Sequence, residues 1–331
     1  MTGDTLSATM KAVHIMLVFE ELRSLKRILL AVMTLLLLTV VVGCSQSKET
    51  DIPAKEGFPL KITDATKNEV VIEAKPKRIV SLTPSNTEIL FALGLEKEIV
   101  GVTTWCDYPA KAKEKEKIGD LTTNVEKVVA LQPDLVVATA SMNDQAIGAL
   151  RKLGVTVLAV EPQNVREVTD AVQLIAKATG KETKGQEVVK GMQDILAQVE
   201  KKLSQLTAEQ KVKVFIEVGY EPLFTAGKGS FVDDLVRSAG GINVASEVKA
   251  YQQYSLEQLL TVNPQVILAT DYYYLKENQK VEKRADWKNI EAVKQGRVIG
   301  NLDANLLTRP GPRSAEAVKA IAQALYPDLF K

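Results

Sequence analysis

The sequence predicts an α/β protein of two related lobes joined by one long helix, and three observations predict it. Short β-branched apolar runs alternate with segments of helical period, the order of a parallel sheet with helices on its faces. Between Val165 and Leu206 no strand-like run occurs and only helical spacing remains. The alternation then restarts, and one segment of each half repeats. Asn124-Val-Glu126-Lys-Val-Val-Ala-Leu-Gln-Pro133-Asp-Leu-Val-Val-Ala138 aligns with Ser255-Leu-Glu257-Gln-Leu-Leu-Thr-Val-Asn-Pro264-Gln-Val-Ile-Leu-Ala269 at a constant offset of 131 residues. Glu, Pro, the final Ala and seven branched apolar positions coincide, which argues for a duplicated unit.

Each element follows from its residues. Residues 60–72 alternate around the polar stretch Asp64 to Asn68 and predict a small hairpin. Residues 78–82 make a β-branched strand. Ser85-Asn86-Thr87-Glu88 has capping-box spacing and should open a helix running to Leu93, closed by Gly94. Residues 99–103, 134–139 and 155–160 are further strands, with a helix over 144–153 ended by Gly154. The Lys-rich run 111–117 alternates with Glu and reads as a solvated helix face. Val168, Val172, Ile175 and Ala176 keep helical spacing. After Gly180, Val188, Met192, Ile195, Leu196, Val199 and Leu203 hold it over several turns. A helix over 181–206 would be roughly 40 Å long at 1.5 Å per residue, enough to cross one lobe and reach the next. Beyond it come strand 213–218, helix 231–239 ended by Gly240-Gly241, and strand 265–270. A helix near 286–293, strand 297–299 and a last helix over 313–325 complete the chain, with Pro310 and Pro312 keeping the approach extended.

The N-terminus carries a targeting signal. Lys26 and Arg27 precede an apolar run over residues 28–42, a charged n-region and an h-region of secretory length. A spanning helix usually needs about 20 apolar residues, so a permanent anchor is disfavoured. The residues ahead of Met16 fit no part of such a signal, as expected of a start codon placed too early. Val41-Val42-Gly43-Cys44 then turns polar at once. These residues resemble a bacterial lipobox, which implies that Cys44 becomes the lipidated first residue of the mature chain. The expected organisation is a signal peptide over 1–43, a tether over 44–58, an N-terminal α/β lobe with its hairpin over 59–180, a connecting helix over 181–206 and a C-terminal α/β lobe over 207–331.

Cleavage there leaves Cys106 as the one thiol and removes His14, the one histidine. An intramolecular disulfide, multi-imidazole metal sites and His-based acid/base catalysis are thereby excluded. Among 331 residues the net charge is +1, which provides no basic footprint for nucleic acid. There is no Gly-x-Ser-x-Gly elbow. Ala226-Gly227-Lys228-Gly229-Ser230 approaches a phosphate loop, but Pro222 stands where that motif needs its first Gly. The chain therefore reads as a non-enzyme without a resident cofactor or metal.

Several pieces in fixed order carry a family resemblance over about residues 60–325. They are Pro76-Lys77-Arg78-Ile79-Val80-Ser81-Leu82-Thr83-Pro84-Ser85-Asn86-Thr87-Glu88, the Asp107-Tyr108-Pro109 turn and the two Glu-to-Pro repeats. Pro222-Leu223-Phe224-Thr225-Ala226-Gly227 and Arg309-Pro310-Gly311-Pro312-Arg313 add to them. Together they resemble the helical-backbone class of substrate-binding proteins that serve ABC importers of cobalamin, ferric siderophores and haem. The resemblance implies two Rossmann-like α/β lobes, one long backbone helix and a ligand cleft between the lobes. It also implies that Glu126 and Glu257 dock on Arg residues of the permease subunits; the alternative is that each merely favours a helix N-terminus through the dipole.

Strand-end loops supply ligand-binding candidates: Trp105, Tyr108, Tyr220, Phe224, Tyr251 and Asp303, with Arg309 suited to a carboxylate or to an Asp partner. In position Trp105, Phe224 and Tyr251 match aromatic pocket positions of the cobalamin branch, so a corrinoid is the expected ligand. The loops near Leu121 and Thr139 lack the Trp residues often found there in that branch. A ferric siderophore or haem is the alternative within the class, and a permease-independent metallochaperone or signalling lipoprotein the alternative outside it. The expected protein is a monomer on the extracytoplasmic face, held to the membrane by its lipid alone. Tyr272-Tyr273-Tyr274 can be cleft wall or packing, and Trp287 and Cys106 read as core.

Overall fold

The computed structural model describes residues 57–331 except Leu121. The expected signal, His14, Cys44 and the tether up to residue 56 lie outside the described residues. Among the described residues no helix is long and apolar enough to cross a membrane.

The chain opens with an antiparallel hairpin, β1 (Leu60–Thr63) and β2 (Glu69–Ile72). Its turn is organised by the buried Asp64 carboxylate, which accepts the amides of Thr66 and Asn68 at 2.9 and 3.2 Å. The same group accepts the Ala159 amide at 3.0 Å and pairs with Arg151, so it also fastens the hairpin to the first lobe. Burial alone would raise its pKa; the Thr66 hydroxyl, the Ala159 amide and Arg151 outweigh that and hold it below the ordinary carboxylate value.

The first lobe follows as β3 (Ile79–Ser81), α1 (Pro84–Ala92), β4 (Ile99–Val102), α2 (Val125–Ala130), β5 (Leu135–Thr139), α3 (Asp144–Lys152), β6 (Val157–Val160) and α4 (Val165–Ala178). Its four strands are all parallel, in the order β4-β3-β5-β6. Strands β3 and β6 are buried along their whole length, as expected where helices cover both faces. The capping-box expectation is corrected. Thr83 stands at the N-cap without a side-chain cap bond, and Pro84 takes the first helical position, where its missing N–H is harmless. Ser85 and Glu88 therefore lie inside α1. The Lys-rich run is not an α-helix either: Ala110–Glu114 is a 3-10 turn.

Helix α5 (Glu182–Leu203) has 22 residues, about 33 Å at 1.5 Å per residue. It is shorter than the 26-residue span read from the sequence, because Lys181 is its N-cap and the chain leaves the helix at Ser204. Gly185, Val189, Met192 and Val199 form its buried stripe. At Gly185 a Cβ would come within 2.5 Å of the Ala176 Cβ, so only glycine lets α5 lie this close to α4.

The second lobe comprises β7 (Lys213–Gly219), β8 (Phe224–Ala226), α6 (Phe231–Ser238), β9 (Ile242–Asn243), β10 (Tyr251–Gln253), α7 (Leu256–Val262), β11 (Val266–Ala269), α8 (Glu291–Lys294), β12 (Val298–Ile299), α9 (Ala304–Thr308) and α10 (Ser314–Leu325). Strand order is β10-β8-β7-β11-β12, with β9 beside β7. The parallel centre matches the first lobe, while β8 and β10 pair antiparallel at one edge. The helix expected near 286–293 is replaced by a 3-10 turn at Ala285–Trp287 and the four-residue α8.

One apolar core runs behind both lobes through α4, α5 and α10. Polar contacts brace them as well. The Val165 amide at the start of α4 donates to Asp234 on α6 at 2.9 Å, and Lys202 on α5 donates to the Leu329 carbonyl at 2.7 Å.

Candidate functional site

In a parallel sheet the loops after the strands gather at the carboxyl ends, where ligands usually bind. Here those ends meet across the gap between the lobes. A half-open cavity of about 240 Å³ lies there. Thr83 and Ser85 follow β3, Thr103 and Trp105 follow β4, and Met142 and Asn143 follow β5; Asn305, Thr308 and Arg309 face them from α9 and its C-terminal end. Trp105 is 52% exposed, so its indole is available to a ligand. The polar wall is preorganised: the Thr83 hydroxyl lies 3.1 Å from that of Thr139, and the Thr139 amide donates to Asn143 Oδ1 at 2.9 Å. Beneath it, Cys106 is buried, within 3.1 and 3.2 Å of the Thr87 and Thr103 hydroxyls, and is packed as core.

Asn305 also borders a larger recess of about 780 Å³, walled by Tyr272, Tyr273, Tyr274, Asp107 and Asp303. Tyr273 and Tyr274 are 86% and 71% exposed and meet edge to face at 5.6 Å. Tyr272 packs flat on Gly300, where a Cβ would fall 2.3 Å from its ring, and its hydroxyl donates to Glu282 at 2.9 Å. A buried ion pair pins this segment to the sheet. Arg284 donates to both oxygens of Glu217, at the end of β7, at 2.6 and 2.7 Å. Its guanidinium stacks 3.6 Å from the Tyr220 ring centroid and 4.3 Å from that of Trp287. Burial and the nearby Asp271 push the Glu217 carboxyl above its ordinary pKa against the pull of Arg284. Burial likewise raises Asp271, whose Oδ1 is enclosed without a partner.

At the back of the cleft the lobes are held by charge. Arg313 donates to both oxygens of Glu88 at 2.9 and 2.8 Å, and Arg309 donates to Asp107 at 2.6 Å and to the Trp105 carbonyl at 3.2 Å. Tyr108 covers the Arg313 guanidinium at 3.9 Å. Asp303 accepts the Asn305 amide at 2.9 Å and lies 3.5 Å from Arg313.

Of the expected ligand residues, the structure brings Trp105, Arg309 and Asp303 to the cleft, with Tyr108 beside it on Arg313. Arg309 is already committed to protein acceptors. Tyr220 is engaged with Arg284, Phe224 sits on β8 and Tyr251 on the edge strand β10 paired with it; none of these three lines either recess. Glu126 and Glu257 stand exposed in the first turns of α2 and α7. Sequence reasoning missed Met142, Asn143, Asn305 and Thr308, whose types carry no signal, and misread Glu88. Its signal was a lone carboxylate followed by Ile89-Leu90-Phe91, matched by two arginines around Pro310-Gly311-Pro312.

The sequence matches the family model described as periplasmic binding protein over residues 79–303. The chain belongs to that family. An ABC transporter substrate-binding lipoprotein of Bacillus subtilis, YvrC, is 40% identical over 90% of this chain and 96% of its own. A vitamin B12-binding protein of Vibrio cholerae is 30% identical over 76% of this chain and 91% of its own. A possible iron-binding, periplasmic solute-binding protein of Staphylococcus epidermidis superposes with TM-score 0.66 at 32% identity, covering 76% of this chain and 99% of that one. This solute-binding protein is accordingly not an enzyme and has no cofactor of its own; it takes up a small ligand and works with an ABC permease. Among the described residues no group of three or more His, Cys, Asp or Glu could hold a metal.

Proposed function

We propose that this chain is a lipid-anchored, extracytoplasmic corrinoid-binding protein of an ABC importer, monomeric, with cobalamin as its ligand. The likeness to the Vibrio cholerae vitamin B12-binding protein over 91% of that protein carries the reading. The cleft chemistry supports it. A corrin is a wide apolar disc edged with amides, and Trp105 offers an aromatic face beside Asn143, Asn305 and a set of hydroxyls. Lipidation at Cys44 follows from Val41-Val42-Gly43-Cys44 and agrees with the lipoprotein character of the Bacillus relative.

The protein has two tryptophans, and Trp287 is buried, so ligand in the cleft should quench mainly Trp105. Titration with cobalamin or cobinamide is expected to give a Kd below about 10 μM, and Trp105→Ala should weaken it roughly tenfold, about 1.4 kcal/mol. No quenching and no affinity in that range would reject the corrinoid. A ferric siderophore or haem is the second reading, favoured by the exposed Tyr273 and Tyr274 phenols and the iron-binding description of the Staphylococcus structure. A visible phenolate-to-iron band on adding the ferric ligand would identify it.

Glu126 and Glu257 are the docking residues in this reading. Asn124 and Ser255 already cap their helices, so neither carboxylate is needed there. Neither has an ion-pair partner among the described residues. Glu126→Lys with Glu257→Lys should leave ligand affinity unchanged and abolish uptake by the reconstituted importer. Undiminished uptake would dismiss the role.

A further inference from the structure

The two helices that carry these glutamates agree in more than the carboxylates. Asn124 Oδ1 accepts the Lys127 amide at 3.0 Å, and Ser255 Oγ accepts the Gln258 amide at 3.1 Å. Each helix is followed by a residue of positive φ, Gln132 at 46° and Asn263 at 40°, then a proline and a central parallel strand. Exposure also runs in step. Val125 and Leu256 are half-buried, Glu126 and Glu257 exposed, and Val128 and Leu259 fully buried. One turn after each glutamate, Val129 and Leu260 stand 37% and 42% exposed. Residues three apart are neighbours on a helix surface, so each lobe presents one carboxylate with one branched apolar side chain beside it. Of the other exposed apolar residues, Leu153 and Ile242 have no apolar counterpart at the 131-residue offset, whereas Met142 and Tyr273 fall on it but line the cleft recesses instead.

We propose that Val129 and Leu260 are apolar anchors of the permease-docking face, and that the partner offers two like sockets, each a shallow apolar depression beside a cationic side chain. The proposal rests on the docking reading of Glu126 and Glu257. Rim charges steer encounter and fix register, whereas apolar groups dried on contact slow dissociation. The duplicated pairing of one charge with one apolar group is what a partner surface present twice would select.

The test uses the full lipoprotein and its permease–ATPase complex reconstituted in nanodiscs, with the dissociation rate as readout. Val129→Ser with Leu260→Ser, both glutamates retained, should keep the thermal midpoint and ligand affinity of the parent while dissociating at least fivefold faster. Val129→Asp with Leu260→Asp should weaken docking at least tenfold. The salt dependence of association, set by the glutamates, should survive in the Ser variant and reverse in sign in the Glu-to-Lys variant, where added salt screens repulsion. Docking within twofold of the parent in both the Ser and the Asp variants would overturn the anchors. If the Glu-to-Lys variant nevertheless failed to dock, the glutamate reading would stand alone. Unchanged docking in all three would remove both.

Discussion

Arg284→Met is expected to destabilise the protein by about 3–5 kcal/mol, the usual effect of leaving half of a buried ion pair behind. Arg284 and Glu217 have side chains only 2% and 0% exposed, so water cannot take over the lost bonds. The substitution also removes the cation held against Tyr220 and Trp287 and frees the Gln279 carbonyl, which accepts from Arg284 at 2.7 Å. Urea denaturation measures the loss. Adding Glu217→Gln should restore part of it, because the orphaned charge is then gone. A single variant within 1 kcal/mol of the parent, on the order of the value of an exposed pair, would contradict this account.

The same cluster sets a pH dependence. Glu217 and Asp271 are both raised above their ordinary values, chiefly by burial. Between the unfolded and the raised folded pKa the native state binds more protons, so this cluster's contribution to stability falls as pH rises through that window. Asp271→Asn removes one of these titrations together with the charge on the unpartnered Oδ1. The variant should be more stable than the parent at pH 8, with the difference shrinking towards pH 4. An equal difference at both pH values would rule the titration out.

Glu88→Gln should have the second large effect, about 3 kcal/mol, somewhat less than a fully enclosed pair because water still reaches the arginines. Glu88 is 2% exposed at its side chain, Arg313 15% and Arg309 11%. The loss falls on the junction between the lobes, since Glu88 belongs to α1 and Arg313 to the turn before α10. Hydrogen exchange should quicken in both elements while the interior of each sheet stays protected. Glu88→Gln with Arg313→Met should recover stability relative to the single change. Denaturation midpoints that shift equally in the single and double variants would show that the pair is not what holds the junction.

Much of this architecture is legible in local pattern. The β-branched runs became β3, β5, β6, β7 and β11 to within a few residues, because a strand covered on both faces is apolar along most of its length. The repeat was legible for a similar reason: an N-capped helix, a left-handed residue and a proline before a buried strand each demand particular residue types. Strands β8 and β10 were invisible. Phe224–Ala226 and Tyr251–Gln253 have three residues each and no alternation, and their partner across the edge supplies the reason for being extended. The site was half legible. Trp105 and Asp303 stand out by type in strand-end loops, whereas Asn143 or Thr308 differ in no local way from any surface residue.

By itself the sequence determined the fold class, the long helix between two related halves, the absence of histidine chemistry beyond His14 and the glutamate at the same place in each repeat. These depend on periodicity, residue type and backbone demand, which neighbours along the chain settle. Only the tertiary structure decided that Glu88 faces Arg313 rather than capping its own helix, that Arg309 is bound to Asp107, and that Tyr272 to Tyr274 wall the larger recess. Each of these joins groups far apart in sequence, 225 residues in the case of Glu88 and Arg313, and burial of a charge selects its partner by proximity in space, which no local pattern encodes.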